Sequence, residues 1–75
     1  MRRTAHDRLF NACLAGDLPA EELPTDLRQQ LVSHLHGLGW TDLEIAVHCR
    51  MSTYTTGRIR SRLDLAPNFH EQGAA

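Results

Sequence analysis

The chain has no lysine; all eight of its basic residues are arginine. Arginine suits bidentate phosphate contacts, and it equally reflects a GC-rich coding bias, so the absence alone decides nothing. Cysteine is scarce too. Cys13 and Cys49 form no CxxC pair, which excludes a disulfide framework and fits reduced thiols in a cytosol. No apolar run approaches the roughly 18 residues of a membrane span, and residues 1–15 hold no signal-peptide core, so a cytoplasmic chain with no membrane partner is expected. Clean period-two alternation is missing, which removes the signal for strands, and no internal repeat or low-complexity tract is present. With 75 residues, one domain is the ceiling. Such a chain buries only roughly 60% of its unfolded surface, leaving no deep cavity for catalysis. No enzymatic activity, cofactor or small-molecule substrate is expected.

What is present is a folded composition, 41% hydrophobic and 23% charged, with a formal net charge of −1. The charge is unevenly spread. Residues 1–44 hold four Arg against seven Asp and Glu, a balance of −3, and residues 45–75 hold four Arg against two acids, a balance of +2.

Helix punctuation runs through the chain. Thr4 with Asp7 resembles a capping box, Ala5, Leu9, Phe10 and Cys13 repeat with a period near 3.6, and Gly16 supplies a stop. Two prolines make 17–24 a connector with one helical turn near 20–23. Thr25 can cap a helix over about 26–38, with Leu27, Leu31, Leu35 and Leu38 on its apolar face and Gly37 and Gly39 at its end. Thr41-Asp42-Leu43-Glu44 is a strong capping box with Trp40 as its staple, opening a short helix over 42–49. Ser52 can cap a last helix to about 63, and Pro67 ends regular structure. The fold class is all-α: a single domain over 1–75, with an N-terminal helix in 1–17, a three-helix core in 25–65 and a flexible tail in 66–75.

The spacing around the last two helices carries the most information. Ile45 and Cys49 face inward, Ala46 is the small residue at the crossing, and Ser52 follows it by six positions. Thr55, Thr56, Ile59 and Leu63 share the inner face of the last helix, and Met51 plugs the turn. Over about residues 26–65 this resembles the helix-turn-helix of bacterial DNA-binding proteins, of the homeodomain-like three-helix kind. "GWTDLEIA" followed by "MSTYTTGRIRSRLDL" is also similar to LuxR-type regulators, although the last helix is shorter. Arg50 stands where that family has a turn glycine, and Thr56 where it generally has valine. The resemblance implies double-stranded DNA as the partner, read in the major groove by helix 52–63, and a role in transcription regulation or DNA processing.

The residues of that helix support the same chemistry independently. With Ile59 inward, about 100° per residue turns Tyr54, Gly57 and Ser61 outward and puts Arg58 and Arg60 on opposite flanks. The candidate DNA-binding residues are Arg50, Ser52, Thr53, Tyr54, Gly57, Arg58, Arg60, Ser61 and Arg62. Gly57 costs helix propensity, which close approach of a backbone or base would explain. Asp64 would repel phosphates, so the N-terminal half of the helix should enter the groove.

Five histidines raise the question of metal. His34 falls on the apolar face, His36 opposite, and His48 beside Cys49, without paired ligand spacing, so no metal site is expected. Leu43 and Val47 lie one turn apart on the side of their helix opposite Ile45, and something should cover them. The expectation is the N-terminal helix; a second protomer or a protein partner is the alternative, and a helix-turn-helix scaffold that docks protein rather than DNA is the rival function.

Overall fold

The structure, a computed structural model, describes residues 5–69. The described residues are helical with no strand: α1 (Ala5–Leu14), a 3-10 turn (Ala20–Glu22), α2 (Thr25–Gly37), α3 (Asp42–Cys49) and α4 (Thr53–Arg62). The expected order and α3 boundaries match. The Thr4 half of the first capping box lies outside the described residues. No helix among them is long and apolar enough to cross a membrane.

The core draws on every element. Cys13 comes from α1, Ala20 and Leu23 from the 3-10 segment, Leu31, Val32 and Leu35 from α2, Ile45 and Cys49 from α3, and Ile59 from α4. α2 is the central post, touched by α1, the 3-10 turn, α3 and α4. Being covered from several sides shifts its buried arc toward Arg28, Leu31, Val32 and Leu35. Leu38 is therefore exposed, as is His34, and the apolar-face placement expected for both is corrected. Ala46, 3% exposed, occupies its expected inward place.

Helix starts follow the sequence in two cases of three. Thr41 and Glu44 close a full capping box, with Thr41 N–H donating to Glu44 Oε1 at 2.8 Å and Glu44 N–H to Thr41 Oγ1 at 3.2 Å. The Ser52 hydroxyl oxygen accepts from Thr55 N–H at 3.0 Å. Thr25 caps nothing. α2 begins one residue early, with Arg28 N–H donating to Pro24 carbonyl, because proline's fixed φ is already set for the helix entry.

All four helices end in one device, the paired 6→1 and 5→2 bonds of a Schellman turn around a left-handed residue. Gly16 and Gly39 fill that position after α1 and α2, at φ 85° and 91°. Arg50 fills it after α3 at φ 57°, with Met51 N–H on Ala46 carbonyl at 2.9 Å. Asp64 fills it after α4 at φ 58°, with Leu65 N–H on Arg60 carbonyl at 3.1 Å. A side chain in this conformation costs roughly 1–2 kcal/mol, so the α3–α4 turn is tight and strained.

Two expectations about the periphery change. The start of the tail is docked: Asn68 donates its amide to His36 carbonyl at 2.9 Å and Trp40 carbonyl at 3.0 Å, and His36 Nε2 donates to Ala66 carbonyl at 2.6 Å. These bonds satisfy carbonyls at the α2–α3 turn, so residues 66–68 belong to the fold. α1 does not cover Leu43 and Val47, which remain 62% and 71% exposed. Its apolar residues pack on the core beside α2 instead. It meets α3 near its C-terminal end, where Cys13 and Cys49 share the core and His48 Nε2 donates to Leu14 carbonyl at 2.7 Å.

Candidate nucleic-acid interface

α4 is anchored by one face and bare on the other. Thr56 is fully buried and Ile59 is 7% exposed. A hydroxyl in that place would be costly if unpaired, but Thr56 Oγ1 donates to Ser52 carbonyl at 3.0 Å. Thr56 thus stands where an apolar residue would without orphaning a polar group. Thr55, expected beside it, is exposed and accepts a hydrogen bond from the Ser52 hydroxyl at 3.0 Å, because it lies a further 100° or so round the helix.

Thr53, Tyr54, Arg58, Ser61 and Arg62 are exposed, with Ser52 and Arg50 at the entry. Tyr54, Arg58 and Arg62 repeat every four residues and form one stripe. The Arg58 guanidinium lies 5.8 Å from the Tyr54 ring centroid, and its Nη1 donates to the Tyr54 hydroxyl at 3.4 Å. The first turn of α4 carries no acid, whereas α2 has Asp26 and α3 has Asp42 and Glu44. Acids normally favour that end of a helix, so the positive end of α4 is left unneutralised.

Arg60 is not on the open face. Its Nε donates to both Asp42 carboxylate oxygens, at 2.9 and 3.1 Å, and its Nη1 donates to Leu65 carbonyl at 2.8 Å. The side chains of the pair are 16% and 25% exposed. Arg60 is a clamp between α4, α3 and the chain beyond α4, so its guanidinium is paired within the chain rather than open on the flank where the helix register alone places it. The two flanks of α4 therefore differ: one is neutralised by Asp42, the other is a basic stripe. Arg50 is exposed, but its Nη2 donates to Gly16 carbonyl at 3.4 Å, toward the end of α1. At Gly57, an added methyl would meet only Asp42 Oδ2 at 3.5 Å and Arg60 Nη2 at 3.7 Å. Nothing among the described residues requires glycine there.

A groove of about 230 Å3 separates the basic stripe from the start of α2. Thr25, Arg28 and Gln29 form its far wall and Ile59 its floor. Arg28 is held there by the carbonyls of Ala20, Glu21 and Leu23, at 3.3, 3.4 and 3.0 Å. Sequence reasoning missed these α2 residues because 30 positions separate Arg28 from Arg58 and no local pattern links them.

On the opposite side, Trp40, Leu43, Glu44, Val47 and His48 line an open apolar groove of about 490 Å3. The Trp40 and His48 rings meet edge to face at 5.0 Å. Among the described residues no group of three or more potential ligands could hold a metal ion. Both cysteines are fully buried, and burial first, then the neighbouring Cys13, pushes the Cys49 thiol up to about 11. Comparison with protein-family models, with curated proteins and with solved structures finds no match for this chain.

Proposed function

We propose that this chain is a sequence-specific double-stranded DNA-binding protein, a regulator or DNA-processing accessory factor. α3 and α4 serve as a helix-turn-helix unit within a three-helix core, and α4 reads the major groove. The observation that carries this is the exposed face of α4. It offers hydroxyls, a phenol and two exposed arginines, with no acid anywhere in the helix. A helix about 10–12 Å across fits a major groove roughly 12 Å wide, and ten residues give it about 15 Å of length to lie there. Ser52 and Thr53 at its positive end suit phosphates, while Tyr54, Arg58 and Ser61 suit base edges or sugars.

Fluorescence anisotropy of a labelled duplex, measured against salt, tests the reading. With three or four phosphates neutralised, affinity should fall roughly 40- to 150-fold between 50 and 200 mM salt. A selected site should then bind more tightly than a random duplex. The exposed apolar groove around Leu43 and Val47 favours a second reading, a module that docks a protein. Binding to a protein partner need not follow that steep salt law, so the same titration separates the two.

A further inference from the structure

The geometry points to the groove between the start of α2 and the Tyr54–Arg58–Arg62 stripe as a phosphate site that grips one strand of the duplex. This rests on the DNA reading above and adds a residue set and a polarity to it. Three arginines, Arg28, Arg58 and Arg62, line this groove with no acidic residue among its walls. In a chain of net charge −1 that concentration is conspicuous, since Arg60 on the other flank is paired with Asp42. Three positively charged side chains line one small space, and an anion bound there is attracted by all of them.

The arginines are also prepared for the task. Arg28 is half-buried and fixed by three backbone carbonyls through Nε and Nη2, and its Nη1 has no partner among the described residues. Its side chain therefore loses little further freedom on meeting a ligand. Arg58 is steadied by the Tyr54 ring. Planar guanidinium groups bind phosphate oxygens bidentately, and Thr25 lies on the same wall. At roughly 30 Å3 per water, the groove holds several waters, enough for a phosphate group to displace. Lying along one flank of α4, it meets the sugar-phosphate backbone at one edge of the major groove. The opposite flank, neutralised by Asp42, has no equivalent grip. The contact with DNA is thus lopsided, with one strand held by this groove.

The test is a titration of the full chain with inorganic phosphate at constant ionic strength, following the Arg Nε–H resonances by NMR, alongside duplex binding by wild type and Arg62→Gln. Arg62 is exposed, so this variant folds; Arg28→Gln serves as a second variant if thermal melting shows it folded. Saturable shifts at Arg28, Arg58 and Arg62, with Arg50 unmoved, are expected, and the duplex should move the same three. Arg62→Gln should weaken the salt dependence, losing about three- to four-fold less affinity than wild type between 50 and 200 mM, as one fewer phosphate implies. If wild type binds duplex and Arg62→Gln shows an unchanged salt slope, the groove is overturned while the DNA reading stands. If wild type ignores duplex, the DNA reading and the strand contact fall together. Unmoved arginine resonances in phosphate overturn the anion site whatever the duplex does.

Discussion

Replacing Arg60 with alanine should cost far more stability than the same change at its neighbours Arg58 and Arg62. The variant strands Asp42, whose side chain is 25% exposed, and removes the donor on Leu65 carbonyl. Exposed ion pairs contribute about 0–1 kcal/mol, and breaking a buried one costs about 3–5 kcal/mol. With 16% and 25% exposure this pair lies between, and about 2 kcal/mol is expected. In a domain this small, each kcal/mol moves the melting temperature by about 4–8 °C, so Arg60→Ala should melt roughly 8–16 °C below wild type. Arg58→Ala and Arg62→Ala should remain within about 0.5 kcal/mol. Thermal denaturation by circular dichroism measures all three. Adding Asp42→Asn to Arg60→Ala should recover part of the loss, since it removes the stranded charge. Equal melting temperatures for Arg60→Ala and Arg62→Ala would refute the clamp.

Gly57→Ala meets only ordinary contacts and gains helix propensity, so it should raise stability by about 1 kcal/mol; weaker DNA binding in the same variant would mark close approach of the duplex. Arg50→Gly relieves a left-handed side chain and should raise the melting temperature by an amount equivalent to about 1 kcal/mol while lowering duplex affinity, read by melting and anisotropy together. Leu43→Glu with Val47→Glu should leave stability within about 0.5 kcal/mol, because both are exposed; sedimentation of wild type and variant then shows whether a second copy uses that face. The folded Cys49 thiol, held near 11 against an ordinary value of about 8.5, should resist alkylation at pH 8 until the chain unfolds. The sign of its linkage is destabilising with base: the contribution is complete below the unfolded value and is lost as pH rises toward 11, which urea melts across that range measure.

Local chemistry explains what could be read ahead of the structure. The Thr41–Glu44 capping box, the Ser52 cap, the glycine stops and the inward register of Ile45, Ala46 and Ile59 act within a few residues, and they appear where the sequence places them. What escaped were long-range partners. Arg58 and Arg60 flank the outer face of α4 equally on a helical wheel, and only the placement of Asp42, 18 positions from Arg60, distinguishes the exposed arginine from the clamped one. His34 looked apolar-facing because a single-stripe picture of α2 ignores its several neighbours. Residues 66–68 read as flexible tail because the carbonyls that hold Asn68 lie 28 and 32 residues back. The left-handed Arg50 was visible as a missing glycine, and the turn kept its tight form rather than lengthening.

The most direct measurement of the central claim is duplex binding by wild type and by the Arg58→Ala, Arg62→Ala double variant, by anisotropy from 50 to 200 mM salt. Both arginines are exposed and outside the core, so the variant should keep the wild-type melting temperature. The prediction is steeply salt-dependent binding by wild type, and a variant whose salt exponent is smaller by about two. A folded double variant that binds duplex as wild type does, with the same exponent, would contradict the assignment of α4 as the DNA-reading helix.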